Sequence, residues 1–412
     1  MIKNEAELRR VVQRAVLETP VTDIHTHLFT PDFGGQLLWG IDELITYHYL
    51  VAETFRYVKM PYADFWRMTK RAQADLIWRT LFLEHSPVSE SCRGVLTVLQ
   101  ALGLDTRARD LEGYRAYFAG QTVDKYLDRV LATANVDRLV MTNDPFVPDE
   151  HRVWMAGVKG DPRFYAALRI DPLLNNWESA CRALQAWGYQ VEPGLSPGTQ
   201  AEVRRFIKDW IARMKPVYLA ASLPPDFSWP EESARALLLE QCLLPAAAEH
   251  GLPMAMMIGV KKLVNKGLAL AGDSVGKSAI EPVENLCAAF PDNKFMLTML
   301  ARENQHECCV AARKFGNLLL FGCWWFMNNP SLIDETTRMR LELLGLSFVP
   351  QHSDARVLDQ LIYKWSHSRA VMADALVDKY VDLYRTGWLP TEEEIKRDVA
   401  GILGENFWTF LK

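Results

Sequence analysis

The chain has 412 residues, of which 49% are hydrophobic and 24% charged, and its formal net charge at pH 7 is −5. This acidic balance argues against a nucleic-acid partner, and no apolar run is long enough to cross a membrane. The seven cysteines show neither a disulfide framework nor zinc-binding spacing, and the N-terminus lacks a signal-like apolar core. We therefore expect a cytoplasmic protein that acts on small molecules.

The first predicted elements are a helix and a strand that contains two histidines. The helix covers about residues 5–17, with Asn4 as its N-cap. The strand follows at residues 21–28 and carries His25 and His27. Because alternate side chains of a strand point to the same face, the two imidazoles lie about 7 Å apart along the strand and can bind one metal ion. A His-x-His pair also arises by chance, so this motif alone does not decide the function.

The rest of the chain predicts an α/β fold. Residues 34–128 are rich in aromatic residues with helical periodicity, and we interpret them as a helical insertion after the first strand. Beyond them, apolar strand-like runs alternate with helical stretches, and the runs are residues 138–142, 164–170, 217–221, 253–258, 294–300, 317–323 and 347–350. Eight strands separated by helices predict a closed (β/α)8 barrel of the TIM type. We expect residues 1–412 to form one catalytic barrel domain, with additional helices at both termini.

Barrel geometry brings one carboxylate to the two histidines. The first and eighth strands of a closed barrel are neighbours, and functional side chains collect at the C-terminal ends of the strands. The eighth predicted strand runs into Asp354. We therefore predict that Asp354 joins His25 and His27 in a site for one divalent metal ion. The alternative is that Asp354 caps a helix that begins near Arg356.

Several separated motifs occur in an order that resembles one enzyme family. The motifs are Asp23-Ile24-His25-Thr26-His27, His48-Tyr49, Arg169-Ile170-Asp171, Trp324-Trp325 and His352-Ser353-Asp354-Ala355-Arg356. The first and last are similar to the amidohydrolase superfamily, and the whole set resembles the uronate isomerases, especially a shorter bacterial branch. The resemblance covers essentially the whole chain. It implies an amidohydrolase-type barrel that isomerises D-glucuronate to D-fructuronate, with D-galacturonate to D-tagaturonate as a further reaction, in hexuronate breakdown.

The resemblance also implies roles for the residues of these motifs. Isomerisation through an enediol needs a base, an acid that serves the oxygens and a positive centre for the developing charge. We assign Asp354 as carbon base as well as metal ligand, His48 with Tyr49 as the oxygen proton shuttle, and one divalent ion, with zinc as first candidate, as the positive centre. Guanidinium groups match the carboxylate of a sugar acid. The candidates for substrate contacts are Arg169, Arg356, Arg302 and Trp325.

Each of these assignments has a structural alternative. His48 and Tyr49 also fit a packed helix face. Arg169 can form an ordinary ion pair with Asp171, and Trp325 can be a core aromatic residue. Aromatic-rich insertions often supply subunit contacts, so a homo-oligomer is compatible with the sequence.

Departures from the wider superfamily limit the metal centre. The fourth to sixth predicted strands lack the lysine and histidines of two-metal hydrolases, and the fifth has methionines where typical uronate isomerases have a histidine. We expect a mononuclear centre with three protein ligands. A mononuclear hydrolase of lactones or amides and a non-catalytic sugar-acid-binding protein stay open as alternatives. Residues 272–278 contain Gly-x-Ser-x-Gly, but a phosphate-binding loop would need glycine at Ala271, and we interpret the stretch as a flexible active-site loop.

Overall fold

The computed structural model describes residues 2–412. The strands are β1 Val21–Thr26, β2 Val136–Asn143, β3 Phe164–Arg169, β4 Leu219–Leu223, β5 Met254–Ile258, β6 Val260–Lys261, β7 Ser274–Val275, β8 Phe295–Met299 and β9 Leu318–Leu320. Seven of them form one curled parallel sheet in the order β1-β2-β3-β4-β5-β8-β9, while β6 and β7 form a separate antiparallel hairpin. The curled parallel sheet with helices between its strands confirms the predicted α/β barrel class.

The eighth position of the barrel is occupied by an irregular segment, residues 347–355, which lies between β9 and β1. Val349 pairs with Phe321 in a single parallel bridge on one side. On the other side the backbone N–H of Asp354 donates to the carbonyl of His25, with a nitrogen–oxygen distance of 3.1 Å. Backbone hydrogen bonds on both sides therefore link the two ends of the sheet.

The prediction of a regular strand at residues 347–350 was wrong, and its sequence explains why. Pro350 has no N–H to donate to a neighbouring strand. Asp354 adopts a left-handed backbone conformation, with φ at +50°, which no β-strand accommodates. The segment keeps the position of the eighth strand but makes only isolated hydrogen bonds.

Helices before β2 account for most of the N-terminal third. α1 Glu5–Glu18 precedes β1, and its N-cap is Asn4, whose side chain accepts from the backbone of Glu7. The predicted insertion at residues 34–128 lies within a helical segment between β1 and β2. That segment contains a 3-10 helix Pro31–Gln36, α2 Ile41–Ile45, α3 His48–Thr54, α4 Tyr62–Arg67, α5 Lys70–Trp78, a π-helix Arg79–Leu83, α6 Glu90–Ala101, α7 Leu111–Ala119 and α8 Val123–Ala134.

The later helices alternate with the strands and then extend to the C-terminus. Those that precede β8 are α9 Pro148–Ala156, α10 Asp171–Asn175, α11 Trp177–Ala186, α12 Pro197–Met214, α13 Ala234–Leu238, a π-helix Leu239–Leu243, α14 Leu244–Glu249, a 3-10 helix Lys266–Gly272 and α15 Glu281–Ala289. Those that follow are a 3-10 helix Arg302–Asn304, α16 Gln305–Ala312, a 3-10 helix Trp325–Met327, α17 Pro330–Leu344, α18 Gln360–Arg385, α19 Glu392–Ala400, a π-helix Gly401–Glu405 and α20 Asn406–Leu411. Among residues 2–412, no helix combines the length and apolar character needed to span a membrane.

The strands are apolar on both faces because each face packs against a different part of the core. One set of side chains fills the interior of the barrel: Ile24, Val140, Ala167, Ala220, Ala255, Met296 and Leu319. Their sequence neighbours pack outward against the helices: Met141, Leu168, Ala221, Met256, Leu297 and Leu320. This alternation follows the two-residue period of a strand, and burial on both faces is typical of parallel sheets. It leaves the C-terminal edge of the sheet for polar side chains.

Candidate active site

His25, His27 and Asp354 meet at the C-terminal end of β1. One donor atom from each residue lies within 4.8 Å of the other two. The Nε2 atom of His27 is 3.3 Å from Oδ1 of Asp354, and that of His25 is 3.8 Å away. The structure thus brings together the three residues that the sequence proposed as ligands. Asp354 does not cap a helix, because α18 begins six residues later at Gln360.

Hydrogen bonds behind the two imidazoles indicate which nitrogen carries the proton. The Tyr218 hydroxyl donates to a carbonyl of β1 at 2.8 Å, so its oxygen accepts from Nδ1–H of His25 at 3.3 Å. The Thr142 hydroxyl donates to another β1 carbonyl at 2.9 Å and accepts from Nδ1–H of His27 at 3.2 Å. Both Nε2 atoms therefore present lone pairs to Asp354. The sequence analysis missed Tyr218 and Thr142, which read only as members of apolar strands.

This arrangement suits a small cation. His25 Nε2 and Asp354 Oδ1 are buried and have no hydrogen-bond partner among residues 2–412. Burial lowers the pKa of His25 well below its usual value and that of His27 to about 4, so both rings are neutral at pH 7. Facing acceptor atoms repel one another unless a proton or cation lies between them. Two zinc–ligand bonds of about 2.1 Å at a tetrahedral angle separate their donor atoms by about 3.4 Å, which matches the closer of the two spacings.

A buried network holds Asp354 in its left-handed conformation. The N–H of the preceding Ser353 donates to Oδ1 of Asp23 at 3.0 Å, and the Trp365 indole N–H donates to Oδ2 of Asp23 at 2.8 Å. The Lys364 ammonium donates to the Ser353 carbonyl. Burial alone would raise the pKa of Asp354, but positive charge on the two imidazoles when they are protonated, and the nearby Lys364 ammonium, outweigh burial and lower it. Asp354 is therefore a carboxylate at neutral pH.

Two neighbouring cavities that share lining residues lie beside the three candidate ligands. The larger has a volume of about 660 Å³, and the smaller, directly at the ligands, about 40 Å³. Arg169, Arg356 and His27 line both cavities. One side of the larger cavity is formed by the helical segment before β2 and the 266–272 helix, and the residues that line it there include Tyr47, His48, Trp66, Lys70, Ala269, Leu270 and Ala271. Its size is in the usual range for small-molecule sites.

His48 faces the larger cavity, and Trp325 fixes its orientation. The Trp325 indole N–H donates to Nε2 of His48 at 3.1 Å, so a neutral His48 carries its proton on Nδ1. Burial lowers the pKa of His48 to about 3. The Tyr49 ring packs on His48 with 4.6 Å between ring centroids but is not among the cavity-lining residues, whereas Tyr47 is. Sequence reasoning had no signal to prefer Tyr47, because neighbouring tyrosines look equivalent before the helix direction is known.

The three predicted arginines have different surroundings. Arg169 forms a bidentate ion pair with Asp171, at 2.6 and 3.2 Å, and also lines the cavities. Its ion pair is therefore compatible with a position at the candidate site. Arg356 lines both cavities and makes no ion pair with any residue of the described chain. Arg302 pairs with Glu335 at 2.9 Å, its side chain is 60% exposed and it lines neither cavity.

Two further carboxyl groups line the larger cavity near Arg169, and the sequence analysis missed both. The Asn143 amide and the backbone N–H of Asp144 donate to Oε2 of Glu150, at 3.2 and 2.9 Å. Burial raises the pKa of Asp144 to about 6, with Arg169 opposing the shift. Burial also raises the pKa of Glu150 to about 7, although the two hydrogen bonds and Arg169 oppose it. The Glu150 carboxyl is therefore partly protonated near neutral pH.

Comparison with solved structures identifies the family. A uronate isomerase from Bacillus halodurans C-125 is 58% identical to this chain, with a TM-score of 0.99, over 100% of this chain and 97% of that protein. The chain belongs to the uronate isomerase family. The family assignment made from the motifs is therefore confirmed, and the lactone or amide hydrolase alternative is not favoured. No family model and no curated protein matches the sequence.

Two more distant structures share the fold of this uronate isomerase family member. A uronate isomerase from Thermotoga maritima is 17% identical, with a TM-score of 0.77, over 100% of both chains. A glucuronate isomerase from Caulobacter crescentus is 14% identical, with a TM-score of 0.77, over 99% of this chain and 94% of that protein. At these identities the likeness shows the common fold alone.

Proposed function

We propose that this chain isomerises D-glucuronate to D-fructuronate and D-galacturonate to D-tagaturonate in hexuronate breakdown. The observation that carries the proposal is the meeting of a two-histidine, one-carboxylate centre and two guanidinium groups in one cavity. Membership of the uronate isomerase family, at 58% identity over the full length, supports this reading. We further propose that the whole chain is one catalytic domain in which residues 34–128 supply part of the cavity wall. The seven buried free cysteines suit a reducing cytoplasm.

Arg356 and Arg169 are the proposed partners of the substrate carboxylate. The Arg356 guanidinium has no ion pair in the described chain, so its charge is available to a ligand. Arg169 shares its charge with Asp171 and is better suited to a supporting contact or to a hydroxyl group. Trp325, which lines the smaller cavity, is suited to pack against the sugar. Arg302 is not retained as a candidate because it lines neither cavity.

We propose that His25, His27 and Asp354 hold one divalent ion, with zinc as first candidate. When bound there, such an ion would polarise substrate oxygens and offset the negative charge of an enediolate. The chain prepares the ligands in advance, because Tyr218 and Thr142 orient the two imidazoles with their Nε2 lone pairs toward Asp354.

Proton transfer is assigned to three side chains. The Asp354 carboxylate takes the proton from C2 of the aldose and returns it to C1, so that the C2–H bond breaks and a C1–H bond forms. A second proton moves from O2 to O1. We propose His48, with the proton on Nδ1, as the group that serves these oxygens, together with Tyr49, whose ring packs against it. Trp325 keeps the His48 ring in the orientation that this requires.

The decisive experiment is turnover of D-glucuronate and D-galacturonate by the purified protein. Loss of the aldehyde or enzymatic reduction of the ketose product reports isomerisation, with and without a chelator and added zinc. We expect turnover by the wild type, a loss of several orders of magnitude in Asp354→Asn, and little change in the control Arg302→Met. Absence of turnover on both uronates, or hydrolysis in a parallel panel of lactones and amides, would contradict the proposal. Binding of glucuronate without turnover would favour the non-catalytic alternative.

A further inference from the structure

Asp144 and Glu150 line the larger cavity but have no role in the proposed proton transfer. Asp144 directly follows β2, whose Thr142 supports the imidazole of His27. Thr142 also lines the cavity, and Asp144 lies two residues further toward the C-terminal edge of the sheet. That edge is where α/β barrels bind their ligands. Asp144 therefore lies close to the candidate metal ligands, on a wall that a bound substrate would contact.

The carboxyl pair, Asp144 and Glu150, stands beside the Arg169 guanidinium. Because β2 and β3 are parallel and in register, Asp144 and Arg169 are neighbours at the ends of the two strands. Arg169 also pairs with Asp171, so three carboxyl groups on this wall share one guanidinium. Such a wall does not attract a further anion, and its carboxyl oxygens are left to accept hydrogen bonds from neutral groups.

Glu150 is held by one of its carboxyl oxygens and leaves the other free. The residue is 7% exposed, and Oε2 accepts from the Asn143 amide and the Asp144 N–H. Oε1 has no hydrogen-bond partner among residues 2–412. An unpartnered polar atom on a side chain this deeply buried is costly unless a ligand or water satisfies it. Since Glu150 lines the cavity, a ligand there can supply the missing contact.

Asp144 has the same arrangement. Its Oδ1 accepts from the backbone N–H of Phe146 at 2.9 Å, which fixes the carboxyl group, while Oδ2 has no hydrogen-bond partner in the described chain. The pair thus offers two free oxygens in fixed positions on one wall. Hydroxyl groups donate to such oxygens, and the partly protonated Glu150 can also donate to a hydroxyl oxygen. A polyhydroxylated chain is the ligand that suits this wall.

We propose that Asp144 and Glu150 bind hydroxyl groups of the uronate chain and set the preference between D-glucuronate and D-galacturonate, which differ only in the direction of the C4 hydroxyl. This inference rests on the proposed function. With C1 and C2 at the candidate metal ligands and the acid group at Arg356, the hydroxyls of C3, C4 and C5 remain for other polar groups. C4 is the central carbon of these three. A fixed carboxyl oxygen that accepts from the C4 hydroxyl of one epimer loses that hydrogen bond in the other.

Calorimetric titration with two unreactive analogues tests the proposal. L-Gulonate and L-galactonate are D-glucuronate and D-galacturonate with the aldehyde reduced to a hydroxymethyl group, so they keep the epimeric hydroxyl but cannot be isomerised. With zinc added, we expect the wild type to bind the two acids with dissociation constants that differ about tenfold, and Glu150→Gln and Asp144→Asn to reduce this ratio about fivefold. Asp149→Asn is the matched control, because Asp149 lies on the same helix as Glu150, pairs with Arg152 at 2.6 Å and does not line the cavity. It should keep the wild-type ratio.

Steady-state kinetics supply a second readout. The ratio of kcat/KM for the two uronates should change in each variant by the same factor as the ratio of dissociation constants, whereas a merely structural role would lower both values equally. Circular dichroism verifies that each variant is folded. Equal affinities of the wild type for the two acids, or a wild-type ratio in both folded variants, would overturn the proposal. The titration needs no turnover, so these results are distinguishable from failure of the proposed isomerase activity.

Discussion

Replacing Tyr218 by phenylalanine should weaken ion binding without disturbing the barrel. The substitution removes the oxygen that accepts from Nδ1–H of His25 at 3.3 Å. The ring can then move its proton to Nε2 and hydrogen-bond to Asp354, and that tautomer cannot bind an ion. Loss of comparable support at metal-ligating histidines weakens binding about 10- to 100-fold. The bond is long, so we expect the lower half of that range, about 1.4–2 kcal/mol of binding free energy.

The measurement is competition for zinc or cobalt between chelator-treated protein and a chromophoric chelator. Tyr165→Phe is a matched control, because Tyr165 lies in β3 and packs against Trp408 with 4.8 Å between ring centroids, with no hydrogen bond from its hydroxyl in the described chain. The control should bind the ion as the wild type does. Equal affinity of the Tyr218→Phe and wild-type proteins, with both folded, would refute the idea that the tyrosine hydroxyl sets the tautomer of the ligand.

Three further substitutions test other parts of the structure. Arg356→Met should raise KM for glucuronate about 10- to 100-fold, the value of a charge-assisted pair, with a smaller effect on kcat, whereas steady-state kinetics of Arg302→Met should be unchanged. Glu150→Gln tests the buried carboxyl. The pKa of Glu150 in the folded protein, about 7, exceeds the ordinary value of 4.5, so the unfolding free energy of the wild type should fall by on the order of 3 kcal/mol as pH rises from about 4.5 through 7. Urea titrations of the variant over the same pH range should lack this fall. Gly322→Ala would place a Cβ 1.7 Å from a buried imidazole at a φ of +68° and should cost more than about 3 kcal/mol in urea denaturation. Gly345→Ala, at a φ of +63° with no atom near the added Cβ, should cost less, because only backbone strain opposes it.

The periodicity of apolar residues predicted most of the barrel because these strands are buried on both faces. The run at residues 253–258 became β5, Met254–Ile258, almost unchanged. The predicted strand at residues 317–323 shortened to Leu318–Leu320, because Gly322 adopts a φ of +68° that ends the pairing. An apolar run shows that a segment is buried, but the backbone conformation of a single residue decides where its hydrogen-bonded ladder stops.

Barrel topology predicted the three candidate metal ligands, but it did not predict the direction of the Arg302 side chain. His25, His27 and Asp354 follow from one topological statement, that the first and eighth strands of a barrel are neighbours. Arg302 follows its strand just as closely, but the short 3-10 helix Arg302–Asn304 directs it to an exposed ion pair with Glu335, and nothing in the local sequence fixes that direction.

The role of Tyr218 could be predicted only once the order of the strands was known. It stands 193 residues from His25 and contacts it across the interior of the barrel, so the apolar run that contains it predicts a strand and gives its hydroxyl no partner. Once the strand order is known, the two-residue period places Tyr218 and Ala220 on the inner face with Ile24, and a buried inward hydroxyl must then find a partner near β1. The same alternation that predicts the barrel therefore predicts the support of its ligands, provided that it is applied after the strands are ordered.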